Sequence, residues 1–110
     1  MGKEKGIIVF VTVPLKEVEK LVKILLKERV CACINIIENV KSYFWWKETI
    51  SQEREALLII KTQEKLFSKL KKIIKENHPY TVPEIVGIKI TKINEGYLDW
   101  LIKETYASIN

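Results

Sequence analysis

The hydrophobic periods of this 110-residue chain follow one another as strand, helix, strand, strand, helix, strand, with one further helix at the end. That order predicts an α+β, ferredoxin-like βαββαβ fold with a four-stranded antiparallel sheet. Two more observations agree. The two middle strands are each roughly twice a typical strand in length and make a long hairpin, and both inner helices carry one apolar stripe, as helices packed on a single sheet face do. At 47% apolar and 30% charged residues, a chain of this length holds one core of two layers and not two cores. Residues 1–110 therefore read as one domain, with 1–5 and 107–110 as flexible ends.

The elements are justified in order. Ile7 to Val13 is short, β-branched and apolar on both faces, which suits a central strand covered on each side. Pro14 opens a helix at a tolerated early position, and Val18, Leu21, Val22, Leu25 and Leu26 form its stripe. From Cys31 the pattern turns β-branched and aromatic through Trp46, and after Lys47-Glu48-Thr49 a returning run reaches Lys61. These two runs are the hairpin. The return is polar from Ser51 to Glu55 and apolar from Ala56 to Ile60, so only its base is expected under helices. Thr62 offers an N-cap for a second helix with Leu66, Leu70, Ile73 and Ile74 inside, and Asn77-His78-Pro79 stops it. A last strand spans Glu84 to Lys92. Asn94 then caps a helix from Tyr97 to about Tyr106 with Leu98, Leu101 and Ile102 on its inner face.

With both helices on one side, the other sheet face is left open, and Val9 and Val11 are expected on it. A patch of several hundred Å2 is rare on a soluble monomer. Four consecutive aromatics, Tyr43-Phe44-Trp45-Trp46, sit at the hairpin tip, and alternation sends Trp45 and Trp46 to opposite faces. One small core cannot cover both, so they read as anchors toward a partner chain.

Composition excludes several classes. The net charge of +5 is carried almost wholly by lysine, with only Arg29 and Arg54 as arginines, whereas a phosphate or base reader favours the arginine fork. No nucleic-acid partner is expected, and Val9, Val11, Leu57 and Ile59 stand where an RNA-binding sheet would carry stacking aromatics. The first apolar run is too short for a membrane span and lacks a cleavage site, so no membrane partner is expected. Cys31 and Cys33, two apart on one strand, have poor geometry for a mutual disulfide, which fits a cytoplasmic protein. No nucleophile and base pair, glycine-rich phosphate loop or zincin motif occurs. The chain reads as no enzyme and needs no organic cofactor. His78, the only histidine, could ligate a metal or move a proton, or simply end a helix, favoured there by the dipole. Glu84 gives a hard oxygen six residues on, and Cys33 a soft sulfur.

The segments Ala32-Cys33-Ile34-Asn35-Ile36, Ser42-Tyr43-Phe44-Trp45-Trp46, Leu58-Ile59-Ile60-Lys61-Thr62, His78-Pro79-Tyr80-Thr81-Val82-Pro83-Glu84-Ile85 and Tyr97-Leu98-Asp99-Trp100-Leu101 together resemble the CutA family of divalent-cation tolerance proteins. The resemblance covers about residues 6 to 106. It implies a homotrimer whose long hairpins pair between neighbours, with Tyr43, Phe44, Trp45 and Trp46 at the interface. It also implies a role in divalent-cation, chiefly copper, tolerance and homeostasis, with Cu2+ or another divalent cation held weakly. The implied metal residues are His78, Glu84 and Cys33, and the implied inter-subunit cleft residues are Trp46, Lys61 and Tyr80. An alternative, by analogy with the PII-like trimers of the same fold, is a signalling or scaffold protein that binds a small anion or metabolite between subunits. Three departures stand out: copper-binding members have cysteine where this chain has Val11, two histidines where it has Asn77-His78, and glycine where it has Glu48.

Overall fold

The computed structural model describes residues 4–106 of the chain. Four strands and three helices follow in the expected order: β1 (Gly6–Pro14), α1 (Val18–Lys27), β2 (Cys33–Trp46), β3 (Thr49–Gln63), α2 (Phe67–Asn77), β4 (Ile85–Lys89) and α3 (Glu95–Glu104). The sheet is antiparallel throughout with spatial order β2-β3-β1-β4, so β1 and β3 are central. This is the ferredoxin-like arrangement with a long β2-β3 hairpin and an added C-terminal helix. Among the described residues, no helix is long and apolar enough to cross a membrane.

Local chemistry moves several boundaries. Pro14 is the last residue of β1, and a short 3-10 turn, Leu15–Glu17, precedes α1. Thr62 does not cap α2: it is buried in β3, where its hydroxyl donates to the Val30 carbonyl at 2.7 Å, and a 3-10 turn, Glu64–Leu66, leads into the helix. The last strand is shorter than expected, ending at Lys89. The Asn94 cap is present, its side-chain oxygen accepting from the Gly96 N–H at 2.9 Å. At the front of the chain, Lys5 accepts from Glu64 N–H at 2.7 Å and Glu4 pairs with Lys65 at 3.4 Å. Of the ends expected to be flexible, 1–5 and 107–110, residues 1–3 and 107–110 lie outside the described residues.

The core corrects the expected faces of β1. Val9 and Val11 are fully buried under α1 and α2 with Val13, Ala56, Leu58, Ile60, Leu21, Leu25, Leu70 and Ile74. Because β1 is apolar on both faces, alternation alone could not say which set turns inward. The other face carries Ile8 and Phe10, continued across the register by Ile59, Leu57, Ile37, Val86 and Ile88. Nor is that face wholly open. A side chain at Gly6 would meet Leu98 and Leu101, and Gln63 donates to the Thr105 carbonyl and hydroxyl, so α3 lies over the end of the sheet where β1 begins. Arg29, in a left-handed conformation just past α1, ties that helix to the end of α3 by bonding Glu104 at 2.9 Å.

Candidate functional site

The hairpin presents its aromatics through two local devices. Between Ile37 and Val40 the register shifts by one residue, with Asn39 at φ 63°: a β-bulge, which reverses the faces of everything beyond it. As a result Val40, Ser42, Phe44 and Trp46 share the face of Leu57 and Ile59, while Tyr43 and Trp45 take the opposite one. Trp45 pairs across the strands with Ile50, and these two are 72% and 64% exposed. Trp46 pairs with Thr49 around a two-residue turn in which Lys47 and Glu48 both have positive φ, 48° and 69°. That is the turn whose twist matches a hairpin, kept here without the glycine that usually eases it.

His78 lies at the end of α2 and is 8% exposed. Its Nε2 is 2.8 Å from the Thr12 carbonyl, and its Nδ1 accepts the Tyr80 N–H at 3.1 Å. An Nδ1 that accepts leaves Nε2 as the protonated donor, so this geometry selects one neutral tautomer and uses both nitrogens. The imidazole also packs against the Tyr80 ring, with centroids 4.8 Å apart and the planes tilted by 52°. The Tyr80 hydroxyl donates at 2.7 Å to Glu55, which is only 2% exposed. Burial, this bond and the charges of Glu55 and Glu53 all push the Tyr80 phenol well above its ordinary range. A continuous chain of contacts thus runs from α2 through the 79–84 loop to the base of the hairpin, where Glu55 pairs with Val40 just beyond the bulge.

The residues expected to form a metal site are not gathered in one place within a chain. Glu84 is exposed at the start of β4. Cys33 pairs with Lys61, which pairs with Ile8, whereas Thr12 pairs with Leu57. Four residues along a strand separate those rows by about 13 Å, too far for one ion to touch Cys33 and reach His78. Trp46 lies six residues along β2 from the Val40–Glu55 row, about 20 Å away, so it cannot wall a cleft beside its own His78. Val11 faces the core. Among the described residues no three His, Cys, Asp or Glu side chains are grouped as a metal site.

Around Cys33 a second polar group forms. Lys61 donates to the Asn35 side-chain oxygen and, at 3.3 Å, to the Ile59 carbonyl. The Tyr97 hydroxyl of α3 lies against the Cys33 thiol, and burial together with that bond pushes the phenol up to about 12. Cys31, fully inside, is pushed to about 12 by burial and the neighbouring Cys33. Glu55 and Thr12 escaped sequence reasoning because one ends a polar run and the other contributes only a backbone carbonyl.

Comparison with known proteins follows this geometry. Residues 7–104 match the family described as CutA1 divalent ion tolerance protein. The divalent-cation tolerance protein CutA of Pyrococcus horikoshii is 48% identical over 100 residues, covering 90% of this chain and 97% of that protein. The solved structure of the Thermus thermophilus divalent cation tolerance protein superposes with a TM-score of 0.88 at 40% identity, over 92% of this chain and 99% of that one. The rice CutA1 crystal structure gives 0.90 at 38% identity, over 94% and 96%. Both the family and the Pyrococcus horikoshii relative are described by tolerance to divalent ions. With one family spanning nearly the whole described chain and relatives matching it end to end, this chain belongs to the CutA1 divalent ion tolerance family.

Proposed function

We propose that this protein acts in divalent-cation tolerance and homeostasis as a homotrimer, with copper or another divalent cation held weakly near the His78–Glu84 loop. The observation that carries the assembly is the uncovered apolar surface that runs from Val86 and Ile88, about half exposed, across Phe10 and Ile59 to the tip aromatics. A second and third copy would cover it, and would bring each tip aromatic to a neighbour's loop. Trp46 then joins the Tyr80 cleft of another subunit, which it cannot do within its own chain.

Weak cation binding follows from the donors. Both His78 nitrogens are engaged, so an ion gains imidazole only by displacing the Tyr80 N–H. Glu84 offers a hard oxygen, and neither a thiolate at position 11 nor a second imidazole at position 77 is available to favour copper. The cytoplasm is the compartment this reading takes, supported by two free thiols. Sedimentation equilibrium tests the assembly, with three chain masses at micromolar concentration expected and a stable monomer contradicting it. Calorimetric titration of Cu2+ and Zn2+ into wild type, Glu84→Gln and His78→Ala tests the ion site. Weak heats that shrink in the variants are expected, and identical heats in all three would remove these residues from it.

A further inference from the structure

We infer that the notch around Lys61, on the sheet face beside α3, is a binding site for a small oxyanion, a phosphate or carboxylate group. The inference does not depend on whether cations bind near His78. Lys61 is half-buried on an apolar face, with Ile8 on one flank and Cys33 on the other. Its two bonds go to neutral oxygens, those of Asn35 and Ile59. An ammonium has three donors, so one is left for a ligand. No carboxylate among the described residues pairs with it, although Arg29, Lys65 and Lys89 each have one, in Glu104, Glu4 and Glu64.

An uncompensated cation on a surface destined to be covered is costly, because its attraction to water is lost with nothing in exchange. The immediate surroundings of Lys61 supply no counter-charge: they are Ile8, Phe10, Cys33, Asn35, Ile59 and Ile88. An anion from solution satisfies the charge instead.

The surrounding groups have the donor character an anion needs. Cys33 is the strand neighbour of Lys61, the Tyr97 hydroxyl of α3 lies against its thiol, and a phenol held up to about 12 remains a proton donor across the physiological range. Trp100, packed on Tyr97 at 5.5 Å between ring centres, backs that wall. The same ammonium repels a divalent cation at Cys33, since unlike water the half-buried setting screens charge poorly. This end of the sheet is therefore suited to anions and the His78 end is left to cations.

The test is thermal unfolding at pH 7 of wild type, Lys61→Met and the surface control Lys72→Met. Each is titrated with inorganic phosphate or succinate against sodium chloride of equal ionic strength. A ligand that binds the native state raises the midpoint in a saturable way. Wild type and Lys72→Met are expected to rise by several degrees and level off with one of the two anions, and Lys61→Met to stay flat. Phosphate alone acting identifies a phosphoryl ligand, and succinate alone a carboxylate. No saturable rise in wild type, or an equal rise in all three proteins, overturns the proposal, the latter because excluded salts stabilise any folded chain. Should Lys61→Met fail to fold, the alkylation of Cys33 by iodoacetamide in wild type decides. Slowing by the anion supports the site, and an unchanged rate overturns it.

Discussion

Glu55 stands where a polar strand enters the sheet, and its fate is decided by one partner, the Tyr80 hydroxyl. Removing that hydroxyl in Tyr80→Phe leaves a buried carboxylate short of its donor, which typically costs about 1–3 kcal/mol. Urea unfolding at pH 7 is expected to show that loss without a change in the slope. The pH dependence has a definite sign. The folded phenol binds its proton more tightly than the unfolded one at 10.0, so its contribution is complete below pH 10 and falls as the pH rises beyond. The gap between wild type and Tyr80→Phe should therefore narrow above pH 10. Cys31 behaves likewise in a lower window: its thiol moves from 9.0 to about 12, so its share of stability is lost between those values, and Cys31→Ala should unfold less steeply there. His78 was legible as the end of α2, since it precedes a proline. Its distant partner was not, because the backbone carbonyl of Thr12, 66 residues upstream, carries no local signal.

At the level of elements, hydrophobic period revealed every strand and helix, while termini and faces escaped it. The long hairpin was plain from its β-branched run, but the bulge at Asn39 was not, since one extra residue leaves the composition of the strand unchanged. Its consequence is large. Deleting Asn39 is expected to restore unbroken pairing with Val40 still opposite Glu55 and Trp46 still opposite Thr49, so each ring keeps its face while the bend and added twist that aim the tip are lost. Sedimentation equilibrium should then show a weakened assembly, and intrinsic fluorescence a shifted tryptophan environment. An assembly as tight as wild type would show that tip orientation is immaterial. The turn invites a gain. Lys47 and Glu48 both occupy the left-handed region, which costs a side-chain-bearing residue about 1–2 kcal/mol. Glu48→Gly removes part of that cost, offset by the greater freedom of glycine in the unfolded chain. The expected net effect is stabilisation of about 0.5–1 kcal/mol, readable as a higher urea midpoint.

At the scale of the molecule, shape and surface point the same way. The chain spans 48 × 28 × 23 Å with a radius of gyration of 14.6 Å, against about 13 Å for a compact domain of this size. The excess is the hairpin, which projects past the helices and ends in aromatics on both faces. That much could be read in the sequence, because a four-aromatic run exceeds what one small core can absorb. How copies meet could not, since register and bulge decide which rings point which way. Trp46 shares the face of the apolar sheet, and Trp45 lies opposite with Ile50. If neighbouring copies cover both faces of the tip, both rings are buried between chains and each truncation to alanine costs about 2 kcal/mol or more, three times over in a trimer. Trp46→Ala and Trp45→Ala should each move the sedimentation equilibrium toward monomer while leaving the heats of Cu2+ and Zn2+ binding per chain less affected. A Trp45 variant that assembles like wild type, beside a Trp46 variant that does not, would confine the interface to the open face and leave the Trp45–Ile50 pair as a separate apolar surface.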